Sequence, residues 1–184
     1  MLSVPITTLL AVIYPICLVW AAYSDITTMT IPNRLTLGLA IAFVPVALLN
    51  QIFGQPLSLQ DWGFHFVIGL AGLVLGMALF AFRVMGGGDA KLIAAAALWI
   101  GPGLQTWYSA VAALLIYTAL FGGALSIVIL LARKFFWGLK PSLPEWAGRH
   151  LEANGDIPYG IGICAGGLFA VGESQFLHAL KFWS

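Results

Sequence analysis

The chain has 184 residues, of which 61% are hydrophobic and 8% are charged. A soluble domain of this size cannot bury so much apolar surface, so the composition excludes a soluble globular protein and predicts an integral membrane protein. The net charge of +1 gives no support for a nucleic-acid partner, and we expect the lipid bilayer to be the main surrounding of the chain.

Six apolar segments follow one another along the chain. They cover residues 4–23, 35–53, 64–82, 91–100 with its neighbours, 105–131 and 157–172. A helix needs about 20 apolar residues to cross a bilayer. The pattern therefore predicts an all-α, polytopic membrane protein with six transmembrane helices, in which residues 1–184 form a single membrane-embedded domain. The first segment has no Lys or Arg before its long apolar core, which argues against a cleaved signal peptide.

The basic residues predict the orientation. Seven of the eight would lie on one side of the membrane, and only Lys181 would lie on the other; the seven are Arg34, Arg83, Lys91, Arg133, Lys134, Lys140 and Arg149. An excess of Lys and Arg marks the cytoplasmic side. We therefore expect the N-terminus and the C-terminus outside, in a multi-pass membrane protein.

Two carboxylates occupy unusual places. Asp25 ends the first apolar segment, in "VWAAYSDITTMTIPNRL", and Asp89 begins the fourth, in "VMGGGDAKLI". The fourth segment is short: ten residues rise about 15 Å, half of a hydrocarbon core of about 30 Å. The predicted topology puts both acids on the cytoplasmic side. The other acids are expected in solvated loops or at the end of the sixth segment; they are Asp61, Glu145, Glu152, Asp156 and Glu173.

Each of the two acids alone could be an interfacial residue at a helix end. Together they suggest more, because two carboxylates that share one proton can activate water for attack on a peptide carbonyl. A pair of membrane acids is also typical of a proton relay in a transporter, although no internal repeat is visible in this chain.

Three consecutive glycines, Gly86, Gly87 and Gly88, precede Asp89. The run predicts an irregular loop in which unusual dihedral angles are allowed and no side chain obstructs an extended substrate. A flexible turn between two helices is the simpler interpretation, but such a turn needs only one glycine.

The remaining candidate ligands are dispersed. His65, His150 and His178 are far apart in sequence, and Cys17 and Cys164 both lie in apolar segments. No Cys or His spacing is typical of zinc, so the sequence predicts no metal and no cofactor.

Three motifs occur in order: Asp25 followed by "ITTMTIPN", the "GGGD" that ends at Asp89, and "IPYGIGICAGG" from Ile157. On a six-span scaffold this order resembles the type IV prepilin peptidases, the A24 family of GxGD aspartic proteases. The resemblance implies that Asp25 and Asp89 are catalytic. Tyr159 and Gly160 share their predicted side of the membrane and could line the same cavity.

The same resemblance implies an endopeptidase of the bacterial inner membrane that removes a short basic leader from prepilin-like precursors, cutting after a glycine at the cytoplasmic face. Nothing in the chain matches the zinc-binding insert of the larger, N-methylating members. The chain is thus similar to the minimal branch that serves Flp/Tad pili. A related preflagellin peptidase, a proton-coupled transporter and an inactive assembly factor are the alternatives, although the presence of both acids argues against the last.

Overall fold

The computed structural model describes residues 11–153 and 155–180. Its α-helices are α1 (Ile13–Thr28), α2 (Asn33–Phe53), α3 (Leu59–Ala81), α4 (Gly87–Ile100), α5 (Ser109–Phe136), α6 (Glu145–Gly148), α7 (Tyr159–Ala170) and α8 (Gln175–Ala179). Short 3-10 helices lie at Trp137–Ser142, Arg149–Leu151 and Val171–Glu173. The described part of the chain has no β-strand, only an isolated antiparallel bridge between Gly103 and Ser174. The all-α class is therefore confirmed.

Three of these helices, α2, α3 and α5, are long and apolar enough to cross a membrane. The other predicted segments correspond to shorter helices, since α1 has 16 residues, α4 has 14 and α7 has 12. A 14-residue helix rises about 21 Å, less than the hydrocarbon core of about 30 Å. The six-span count and the outside location of both termini stay predictions. Residues 4–10 of the first predicted segment, and Lys181, lie outside the described residues.

The short helix α4 lies at the centre of the bundle. It packs against α3, α2 and α7. Trp99 of α4 is fully buried, and its indole Nε1–H donates a hydrogen bond of 2.7 Å to the carbonyl oxygen of Leu39 in α2. This position explains the composition of α4: its alanines let neighbouring helices approach closely, and its one large aromatic side chain has a polar partner.

Several glycines lie where two helices approach each other closely. A Cβ added to Gly76 on α3 would lie 2.8 Å from the Cα of Ala90 on α4. A Cβ added to Gly162 on α7 would lie 2.8 Å from the Cα of Gly122 on α5. Inside a membrane the hydrophobic effect does not drive helices together, because lipid tails are as apolar as the helix surfaces. Close backbone approach instead stabilises the bundle through van der Waals contacts.

The outer surface of the long helices is apolar. Side chains that are at least 60% exposed include Ile41, Val67, Val74, Leu120, Ile127 and Val128. Aliphatic side chains on the outside of a helical bundle suit a lipid environment, so the burial pattern agrees with the composition.

Candidate active site

Asp25 lies in the last turn of α1 and is 7% exposed. The helix ends because Met29 takes a left-handed conformation, with φ of 56°, and its N–H donates to the carbonyl oxygen of Asp25 at 2.8 Å. A left-handed residue just after a helix is a common way to satisfy its last carbonyls. The turn therefore places the Asp25 side chain at the end of α1.

The polar residues around this turn hold it in shape. The Ser24 hydroxyl donates to the carbonyl oxygen of Thr30 at 2.8 Å, and the Thr28 hydroxyl donates to the carbonyl oxygen of Ser24 at 2.7 Å. Serine and threonine often form such local bonds to the backbone at helix ends. The run of threonines after Asp25 thus has a structural role in the connection to α2.

The Asp25 carboxylate is held from α7. Its Oδ2 accepts a hydrogen bond of 2.7 Å from the backbone N–H of Gly160. Gly160 is in the first turn of α7, where N–H groups have no partner within the helix and favour an anion. A Cβ on Gly160 would lie 2.9 Å from both Cβ and Oδ2 of Asp25, so this contact requires a glycine.

Asp89 lies in the first turn of α4 and is also 7% exposed. Its Oδ2 accepts a hydrogen bond of 3.0 Å from the N–H of Gly86, the residue at which the helix is capped. This is half of a capping box, since glycine has no side chain to return the bond.

The predicted irregular glycine loop is therefore wrong in part. Gly87 and Gly88 belong to α4, and Gly86 has φ of −72°, an ordinary value for any residue. Capping by Asp89 and packing of α4 against its neighbours outweigh the low helix propensity of glycine. The glycines permit close approach instead: a Cβ on Gly88 would lie 3.1 Å from Cβ of Ile31.

A second contact joins the "IPN" segment to the start of α4, beside the approach of Gly88 to Ile31. Lys91 Nζ donates a hydrogen bond of 2.8 Å to Asn33 Oδ1. Asparagine is a frequent N-cap residue, but Asn33 is the first residue of α2, its side chain forms no capping bond, and Pro32 is at the cap position. The "IPN" segment thus packs on the start of α4 through Ile31 and Asn33.

Both carboxylates line one cavity of about 310 Å³, at the end of the bundle where α1 ends and α4 and α7 begin. Its other walls are Met29, Phe80, Arg83, Val84, Met85, Gly86, Asp156, Ile157 and Tyr159. Asp25 is close enough to Asp89 for their charges to interact. Asp89 Oδ1 is buried and has no hydrogen-bond partner among the described residues. The arrangement presents carboxylate oxygens to a small molecule or chain segment that enters the cavity.

The structure brings most of the predicted site residues together. Tyr159 and Gly86 line the cavity, and Gly160 contacts Asp25, but Gly87 and Gly88 lie beside it and do not form its wall. Sequence reasoning missed Arg83, and it assigned Asp156 to a solvated loop although that residue is in the cavity wall. The one available signal was that Asp156 directly precedes "IPYG".

A larger cleft of about 510 Å³ opens between α2, α3 and α4. Its lining is mainly apolar, with Asn33, Thr36 and Lys91 as its polar residues, and it includes neither Asp25 nor Asp89. Size alone therefore does not identify the reactive site, and the smaller cavity has the groups that can transfer protons.

No group of three or more His, Cys, Asp or Glu within residues 11–153 and 155–180 is placed to hold a metal ion. The described polar groups of the cavity wall suit acid–base chemistry between two carboxylates. The apolar helices indicate a helical membrane protein, and the two buried acids form a polar site at one end of its bundle.

Comparison with known proteins gives the family. The model of the type IV leader peptidase family matches residues 12–131, and the chain belongs to this family. The match includes Asp25 and Asp89, whereas Tyr159 and Gly160 lie beyond it. No curated protein and no solved structure matches the chain. The chain is thus a membrane protein of a peptidase family.

Proposed function

We propose that this protein is an aspartic endopeptidase of the bacterial inner membrane, with Asp25 and Asp89 as its catalytic residues. Its substrate is the precursor of a type IV pilin-like protein of the Flp type. It removes the basic leader by cutting after a glycine at the cytoplasmic face. The observation that supports this most is the placement of both acids in one cavity, from helices far apart in sequence.

The chemistry uses one proton shared by two carboxylates. Two carboxyl groups at close range do not both ionise, because their negative charges would repel each other. One group therefore holds a proton while the other is ionised. The ionised group accepts a proton from water as the water oxygen bonds to the carbonyl carbon. The protonated group gives its proton to the carbonyl oxygen. When the C–N bond breaks, the leaving amine takes a proton from the newly protonated carboxyl group, and a hydroxyl group of the tetrahedral intermediate gives its proton to the other carboxylate, which leaves the pair with one proton again.

The surroundings of the acids suit these roles. Asp25 is fixed by the Gly160 N–H, and Asp89 has one oxygen bonded to Gly86 and one without a partner among the described residues. An unpartnered buried oxygen is costly unless water or a substrate bonds to it. Asp89 Oδ1 is therefore the oxygen that we assign to the attacking water or the substrate carbonyl.

Gly86 has a steric role in this proposal, because it lines the cavity and has no side chain. It leaves room for an extended substrate backbone to reach the two acids. Gly87 and Gly88 lie beside the cavity, where an added Cβ would meet Phe80 and Ile31. Tyr159 also lines the cavity, and its ring packs near Gly122.

Co-expression with a candidate precursor tests the proposal. The precursor is a small protein with a basic leader, a glycine and then an apolar stretch of about 20 residues, long enough to span a membrane. Mass spectrometry of its N-terminus should show cleavage after the glycine with the wild-type protein. An intact precursor with the wild-type protein, or proton transport that is lost with either acid while no cleavage occurs, would contradict the peptidase assignment.

The orientation is tested separately. Reporter fusions after Leu57 and at the C-terminus should report the outside, and fusions near Pro141 should report the cytoplasm. An outside signal at Pro141 would separate the site from cytoplasmic leaders and would exclude the proposed substrate.

A further inference from the structure

The loop between α5 and α7 reaches across the bundle to the end of α1. His150, in the 3-10 helix Arg149–Leu151, is half-buried, and its Nε2 lies 2.8 Å from the carbonyl oxygen of Ile26. A carbonyl oxygen only accepts, so His150 Nε2 must have the proton and donate it. The two residues are 124 positions apart, so the contact is a tertiary one.

The acceptor is at a special place in α1. Ile26 directly follows Asp25, and the helix ends at Thr28. The last four carbonyls of a helix have no partner within it, and a donor from elsewhere stabilises that end. His150 supplies such a donor one residue from the Asp25 carboxylate, and the imidazole is close enough to interact with that charge.

Arg133 at the end of α5 fixes the loop that presents His150. Its Nε donates to the carbonyl oxygen of His150 at 2.8 Å, and its Nη2 donates to the carbonyls of Gly155 at 2.7 Å and Asp156 at 3.0 Å. The rigid fork of a guanidinium suits such multiple contacts. Arg133 therefore fixes the backbone of His150, and the imidazole of His150 points toward α1.

We infer that His150 is a positioning residue, which holds the last turn of α1 so that Asp25 stays bonded to Gly160 and faces Asp89. This inference rests on the proposed function. The imidazole acts through the backbone of Ile26 and takes no part in the bond-breaking step. A neutral donor at the position of Nε2 is sufficient for this role.

The test compares His150→Ala with His150→Gln, because the glutamine amide nitrogen can reach the position of the imidazole Nε2. In the full-length protein we expect His150→Ala to lower kcat by up to about a hundredfold, the loss that a misplacement of about 1 Å can cause. KM should stay close to its wild-type value, and His150→Gln should recover most of kcat. His178→Ala is the matched control, since that side chain is exposed and lies in α8.

A second readout does not depend on peptidase activity. The backbone amide of Gly160 should have a distinctive NMR shift, because it donates to a carboxylate. In His150→Ala this signal should move toward its position in Asp25→Asn, while in His150→Gln it should stay near the wild-type position. This measurement remains informative if the protein cleaves no precursor, so the two failures are distinguishable.

Three results would overturn the inference. One is wild-type kcat with an unmoved Gly160 signal in His150→Ala. Another is a glutamine variant as impaired as the alanine variant, since the donor would then be irrelevant. The third is a rise in KM alone, which would indicate a substrate contact instead of positioning.

Discussion

The two carboxylates of the site are held in different ways. Asp89 accepts its hydrogen bond from Gly86, three residues away on the same helix start. Asp25 accepts its bond from Gly160, which is 135 residues away on another helix. One acid thus depends on local chain geometry, and the other depends on the assembly of the whole bundle.

This difference separates two kinds of vulnerability. The Asp89 environment should survive any change that leaves α4 helical, because the cap is part of that helix. The Asp25 environment should respond to every change that moves α7 or the loop before it, since those elements supply its contacts. Substitutions at the two acids and at the glycines around them should therefore differ in their effect on cleavage.

Removal of either acid should have the largest effect. Asp25→Asn and Asp89→Asn each keep the shape and remove a group that can exchange a proton, and each should lower kcat by roughly 10²–10⁴-fold, the usual contribution of general acid–base catalysis. The measurement is single-turnover cleavage of a purified precursor. Asp61→Asn, in the capping box at the start of α3, is the control and should cleave normally. Near wild-type cleavage by either site variant would show that the two acids are not a catalytic pair.

A methyl group on Gly160 should have the next largest effect. Gly160→Ala places a Cβ 2.9 Å from Asp25 Oδ2, so the carboxylate must move. We expect a loss in kcat of up to about a hundredfold from misplacement of the acid.

Gly123→Ala is the matched control for Gly160→Ala. It is also a helical glycine, and a Cβ there would have no neighbour within 4 Å. Equal activity of the two alanine variants, measured with equal amounts of folded protein, would show that the tertiary contact to Asp25 does not matter.

The local and tertiary parts of the site also differed in how well the sequence predicted them. "GGGD" and "IPN" are visible in sequence because each is contiguous, and basic residues on one predicted side indicated that both acids face the same way. For Gly160 and Asp25 the sequence predicted only that they lie on the same side of the membrane. Their hydrogen bond could not be predicted, since no local rule links residues that are 135 positions apart.

Helix boundaries were the weaker part of the sequence prediction. The glycines at 87 and 88 were assigned to a loop on propensity, but α4 includes them, because Asp89 caps its start and tertiary packing overrides propensity. The same limit applies to His150. Three dispersed histidines gave no pattern, although one of them bonds to the helix that has Asp25.

Adjacent glycines should differ in a way that sharpens the contrast. A Cβ on Gly88 would lie 3.1 Å from the Cβ of Ile31, whereas a Cβ on Gly87 would be in ordinary contact, 3.5 Å from the Phe80 ring. Gly88→Ala should therefore push the "IPN" segment away and lower kcat by about tenfold, a part of the loss that misplacement can cause. Gly87→Ala should cleave at close to the wild-type rate. Equal rates for the two variants, in the same cleavage assay, would mean that the contact with Ile31 has no influence on the site.

The smallest effect on cleavage, but a large one on stability, should come from Gly101, which follows the last residue of α4. Gly101 has φ of 57°, and a Cβ there would overlap the ring of the buried His65. Gly101→Ala should lower the free energy of unfolding by about 1–3 kcal/mol from the backbone conformation alone, with a further loss from the displaced imidazole. At about 1.5 Å per residue, Gly101 is about 18 Å from Asp89 along the helix axis, so cleavage at a permissive temperature should be nearly unchanged. Thermal unfolding in detergent measures the stability, and Gly38→Ala, with no neighbour within 4 Å of its added Cβ, is the control. A Gly101→Ala protein that unfolds at the wild-type temperature would contradict the predicted strain at Gly101. One that is stable but inactive would show that the two ends of α4 are not independent.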